Sequence, residues 1–76
     1  MENVIDLHGL TVEQAKMQLL DEIEYSNKTI WIIKVIHGYN RGTLIRDMVW
    51  RLKHPKIKKI IKGDLNPGVT LIELKH

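Results

Sequence analysis

The sequence predicts an α/β fold, a two-layer β-α-β-α-β-β sandwich formed by one domain over residues 1–76. Three observations predict it. Short β-branched runs alternate with segments of helical apolar spacing, two of the strand runs end in the same His-Gly pair, and a Pro/Gly turn divides two closing strands. At 76 residues and 43% apolar content, the chain is too short for a two-lobed enzyme and too hydrophobic to stay disordered.

Asn3 to Leu7 is a short apolar run ending in His8-Gly9, the first strand. Thr11 opens a helix: its hydroxyl can cap free amides, and Gln14 completes a Thr-x-x-Gln capping box. Val12, Ala15, Leu19, Leu20 and Ile23 make its apolar face, and Asn27 marks its exit. Thr29 to Ile36 is apolar on both alternations, as an interior strand of a parallel sheet requires, and ends in His37-Gly38. A second helix is expected from Thr43 to Lys53, with Leu44, Ile45, Met48, Val49 and Leu52 inward and Pro55 barring continuation. Lys56 to Lys62 reads as a third strand whose lysines suit a sheet edge. Gly63 to Gly68 is a turn, and Val69 to Leu74 a final strand. Right-handed crossovers put both helices on one face of the sheet and leave the other mostly open.

Charge divides the chain. Residues 1–38 hold six acids against three bases, and residues 39–76 nine bases against three acids. A basic half is a footprint for polyanions, nucleic acid above all, although a lysine-rich solvated surface gives the same count. Cysteine is absent, which removes disulfides, thiolate metal sites and a thiol nucleophile. No apolar run approaches the ~20 residues that span a bilayer, and Met1-Glu2-Asn3 does not open a signal peptide. The expectation is a cytoplasmic protein with no membrane partner.

Parallel strands share a carboxyl edge, where ligands bind in open α/β sheets. His8, His37 and the turn 63–68 should meet there. Asp6 and His8, two apart in a strand, share a face, and a carboxylate that fixes an imidazole's tautomer suits acid–base chemistry. The plainer alternative is a local cap at a strand end. Gly38-Tyr39-Asn40-Arg41-Gly42 could turn amides toward a phosphate, with Arg41 as a charged fork and Tyr39 stacking on a base. An ordinary βα turn would use the same glycines. The segment lacks both the Walker and the dinucleotide fingerprints, which disfavours a mononucleotide cofactor. Trp31 and Trp50 read as packing residues, while His54 and His76 have no partner evident in the sequence.

Val4-Ile5-Asp6-Leu7-His8-Gly9-Leu10-Thr11 resembles the "LDLHG" opening of the Smr (small MutS-related) domain. Ile36 to Gly42 resembles that family's "HGxGxG" loop, and Asn66-Pro67-Gly68-Val69-Thr70 with Ile72-Glu73-Leu74 its closing turn and strand. The likeness covers nearly the whole chain, in order, and marks it as a stand-alone single-domain member. It implies a fold like the carboxy-terminal domain of translation initiation factor three, a four-stranded mixed sheet in the order 1-2-4-3 with the last strand antiparallel. It also implies nucleic-acid binding and endonuclease activity, nicking DNA or cleaving RNA in repair or RNA quality control. Asp6 and His8 fall on the first motif, His37, Gly38 and Gly42 on the second. One position departs: the middle glycine of the loop motif is Asn40, which tolerates left-handed geometry but adds bulk where a phosphate approaches.

The leading expectation is an endonuclease in which His8, oriented by Asp6, is the general base and His37 holds the phosphate or protonates the leaving oxygen. Gly38, Tyr39, Asn40, Arg41 and Gly42, with Arg46, Arg51, Lys53, Lys56 and Lys58, would bind the nucleic-acid backbone. Lys59 belongs to the same basic run. No tightly bound cofactor or structural metal is expected; a divalent ion, magnesium or manganese, enters on the DNA route, where water is the nucleophile. The alternatives are a noncatalytic module for branched or single-stranded nucleic acid, and a protein-interaction or homodimer surface on the open sheet face around Ile30, Ile32, Thr70 and Ile72 or their alternates.

Overall fold

A computed structural model describes residues 1–38, 43–63 and 66–76. The elements are β1 (Glu2–Asp6), α1 (Val12–Glu24), β2 (Ile32–Ile36), α2 (Leu44–Trp50), β3 (Ile57–Lys62) and β4 (Val69–Leu74). They form a four-stranded sheet in the order β1-β2-β4-β3. β1 and β2 are parallel, and β4 is antiparallel to both β2 and β3. β1, β2 and β3 therefore point the same way, and the lysine-rich β3 takes an edge as expected. A register shift between Ile57 and Lys59 bulges that edge, a further guard against strand addition.

Both halves of the capping box form: Thr11 Oγ1 accepts from the Gln14 amide, and Gln14 Oε1 from the Thr11 amide, each at 3.1 Å. Ala15, Leu19 and Ile23 of α1 then bury fully against Ile33 and Val35 of β2, Ile72 and Leu74 of β4, and Val49 of α2. Alternation along β2 and β4 assigns the faces. Ile33, Val35, Thr70, Ile72 and Leu74 lie under the helices, so Ile32, Lys34, Ile36, Val69, Leu71 and Glu73 form the open face. Thr70 and Ile72 thus belong to the core and not to an interaction surface.

Two boundaries are shorter than expected. β2 begins at Ile32 because the Asn27 side chain captures the Thr29 amide at 2.8 Å in a local turn, although Trp31 still bonds Met1 and Leu74 through its backbone. α2 stops at Trp50, well before Pro55, where Leu52 N–H reaches back to the Val49 carbonyl and the tightened turn drops Leu52 into the core. No helix among the described residues is long and apolar enough to cross a membrane.

Candidate nucleic-acid interface

The two His-Gly pairs end β1 and β2 alike. Gly9 and Gly38 both take positive φ, +80° and +71°, a backbone state that costs a side chain roughly 1–2 kcal/mol. The parallel register, with Asp6 opposite Ile36, sets His8 beside Gly38, so that a Cβ on Gly38 would lie 3.5 Å from that of His8. The turn before β4 closes the seam: Gly68 carbonyl accepts from the His37 amide at 2.9 Å and the Gly38 amide at 3.1 Å. Asn66 fixes that turn by accepting the Gly68 amide at 3.0 Å. His8, Gly38 and Gly68 therefore meet at the carboxyl edge.

Asp6 and His8 share the open side, since Leu7 between them is fully buried. Their side chains remain 50% and 68% exposed, so solvent and a large substrate can reach both. His8 Nδ1 and its backbone amide both donate to Asp6 Oδ1. The imidazole bond first, and the amide bond second, hold the Asp6 carboxyl below its ordinary pKa. A carboxylate can only accept here, so Nδ1 carries the proton and the Nε2 lone pair faces outward. That is the geometry of a general base.

His37 is placed differently. It is only 6% exposed, and both ring nitrogens are engaged: Nδ1 with the Gly38 carbonyl and Nε2 with Thr70 Oγ1, each at 2.9 Å. Trp50 Nε1–H donates to the same hydroxyl at 2.9 Å. One proton arrangement satisfies every group. Trp50 donates to Thr70, Thr70 donates to His37 Nε2, and His37 Nδ1–H donates to the Gly38 carbonyl. His37 thereby braces the seam from beneath, and its nitrogens do not face the edge where a leaving oxygen would sit. The role expected of it, holding the phosphate or protonating the leaving oxygen, would require it to give up one of these two bonds. From sequence Thr70 was expected on the open sheet face or its alternate and not as a partner of His37, although its place two residues after Gly68 in the closing motif was a signal.

The basic residues divide as well. Arg46 lies one helical turn before Trp50, with its guanidinium 4.3 Å from the indole centroid, and Lys62 Nζ lies over the same ring at 4.8 Å. Arg46 also bonds Asp47 at 3.2 Å. The Thr43 hydroxyl first, against an opposing effect of burial, and then the Arg46 guanidinium hold the Asp47 carboxyl below its ordinary range. Arg51 and Lys53 face a groove of about 520 Å³ between α1 and α2, with Lys16, Leu20, Met48 and Leu52. Lys56 and Lys58 stand at the start of β3, the end of the sheet opposite His8. Lys56 is tied to the Glu24 carbonyl at 2.7 Å and Lys58 to Glu73 at 3.3 Å. A strand directed toward one edge begins at the other, so Lys56 and Lys58, expected to bind the nucleic-acid backbone, stand away from the His8 edge. Tyr39, Asn40, Arg41 and Gly42 lie outside the described residues. His54 and His76 do have partners, Glu24 at 2.8 Å and the Ile30 carbonyl. Among the described residues no three His, Asp or Glu side chains gather as metal ligands.

The chain is 36% identical over 61 residues to "Ribosome rescue factor SmrB" of Pasteurella multocida (strain Pm70), covering 78% of this chain and 36% of that protein. It is 33% identical over 58 residues to the protein of the same name from Buchnera aphidicola subsp. Baizongia pistaciae (strain Bp), covering 74% and 33%. A solved structure, "Crystal structure of the Smr domain of Thermus thermophilus MutS2", superposes with a TM-score of 0.79 at 23% identity, over 97% of this chain and 99% of that one. The chain belongs to the Smr domain family. The solved Smr domain shares its fold, with the mixed sheet in the order 1-2-4-3. No protein-family model matches. This Smr domain spans only about a third of the length of the curated relatives it matches, 36% and 33%.

Proposed function

We propose that this Smr domain binds nucleic acid through backbone phosphates and cleaves RNA by acid–base chemistry at His8, in the cytoplasm. The observation that carries the reading is the exposed Asp6–His8 pair at the carboxyl edge, with Nε2 open to a substrate. On RNA, His8 Nε2 takes the proton of a ribose 2′-hydroxyl, and the 2′-oxygen attacks the adjacent phosphorus. The bond to the 5′-oxygen breaks, and that oxygen takes a proton from water, because the His37 nitrogens are engaged elsewhere. Positioned proton transfer of this kind contributes ~10²–10⁴-fold. The matched relatives are named ribosome rescue factors, which supports RNA as the polyanion and the cytoplasm as the setting. DNA lacks the 2′-hydroxyl, so its nicking would need water as nucleophile and a divalent ion, magnesium or manganese, to activate it.

A second reading is binding without cleavage. The burial of His37 favours it, because a two-histidine mechanism loses one of its members. End-labelled single-stranded RNA and supercoiled plasmid, each incubated with magnesium and with chelator, separate the readings. Cutting of RNA in chelator is the expected result. Salt-sensitive retention of both substrates with neither cut would establish the binding module instead.

A further inference from the structure

We propose that Trp50, Arg46 and Lys62 form a second backbone-phosphate contact, reached by single-stranded nucleic acid that passes over the sheet edge from His8. The inference rests on the nucleic-acid reading above and adds a footprint to it. Two cations lie over one indole ring, at 4.3 and 4.8 Å from its centroid. An aromatic face attracts a cation and restricts its position without cancelling its charge. The cluster therefore presents ordered positive charge, which among the described residues is offset by Asp47 on Arg46. Lys58, by contrast, is neutralised by Glu73.

The ring itself is fixed. Trp50 Nε1–H is bonded to Thr70, which pairs with Lys62 across β3 and β4 and bonds His37 beneath the Gly38 seam. The cluster and the catalytic edge are thus parts of one bonded unit. They are also well separated. Three inter-strand steps lie between β1 and β3 in the sheet order, roughly 14 Å at ~4.8 Å each. His8 projects on the open side and Trp50 on the helix side, which lengthens the path further. A dinucleotide seated at His8 cannot reach Lys62, whereas a longer strand can.

Fluorescence anisotropy of labelled oligouridylate and oligothymidylate, as dinucleotide and dodecanucleotide, tests this across a salt series. The His8→Ala chain serves as parent so that nothing is cut. Lys62→Ala should weaken dodecanucleotide binding equally on both polymers and lower the slope of log affinity against log salt by ~0.7, one phosphate on a single strand. Dinucleotide binding should not change, and Lys58→Ala should keep the parent slope. Trp50→Phe, which keeps the ring and loses the indole N–H, should also keep the slope. A Lys62→Ala slope equal to the parent's, or an equal fall for Lys58→Ala, overturns the assignment while the function above stands. Loss confined to oligouridylate overturns it too, since the contact would then be to ribose. A parent chain without salt-sensitive binding sinks both this inference and the function.

Discussion

Replacing Thr70 by valine removes one oxygen and leaves two ring nitrogens without a partner. Thr70 is fully buried, accepts from Trp50 Nε1 and donates to His37 Nε2, both at 2.9 Å. A buried polar group left unpaired costs about 1–3 kcal/mol. His37 bears the greater share, since Trp50 keeps partial access to solvent. The combined loss should be about 3 kcal/mol, with each orphan inside the range for such groups. For 76 residues, total stability at roughly 0.05–0.15 kcal/mol per residue comes to ~4–11 kcal/mol, so the substitution removes a large fraction. Thr70→Ser keeps the hydroxyl and loses one methyl, about 1 kcal/mol. Urea unfolding followed by tryptophan fluorescence measures both, with an unchanged m-value licensing the comparison. A Thr70→Val chain as stable as Thr70→Ser would refute the hydrogen-bond chain and free His37 for another role.

Further expectations follow from the pair at the edge and from the core. Asp6 has a folded-state pKa below its unfolded one, so the pair stabilises the fold above the unfolded value, ~3.9, and loses that contribution as pH falls through the folded one. The stability difference between the parent and Asp6→Asn should shrink on acidification below that point, and a difference that persists unchanged would contradict the pairing. Leu19→Ala opens a cavity at a fully buried site and should cost ~2–5 kcal/mol in the same urea assay. Thr11→Ala removes one half of the capping box and should cost about 1 kcal/mol, visible as lost amide protection in the first turn of α1.

What could be read from the sequence was local or periodic. The capping box around Thr11 and Gln14 depends on residues three apart, and alternation sorts β2 and β4 into two sets of side chains, but it does not say which set faces the helices, so Thr70 and Ile72 were expected on the open face or its alternate. The shared carboxyl edge was legible because a helix between two strands returns the chain to run the second parallel to the first. The roles of the two histidines were not. His8 and His37 look alike in the sequence, yet Asp6 holds one on the open side while the β2 alternation carries the other under the helices to Thr70, 33 residues away. Charge counts could not place Lys56 and Lys58 along the sheet for a related reason. A basic run carries no strand polarity, and it was the far end of β3, at Lys62, that reached Trp50. The Asn27 turn shortened β2 through a side-chain bond that competes with the ladder, which β-propensity does not register.

In the proposed cleavage, His8 removes the proton of a ribose 2′-hydroxyl. The products of single-stranded RNA incubated in chelator, with the parent chain and with His8→Ala, test it most directly. The parent should yield fragments ending in 2′,3′-cyclic phosphate and His8→Ala none, although both bind the RNA with equal affinity. Cleavage by His8→Ala at the parent's rate, or ends that carry no cyclic phosphate, would contradict it.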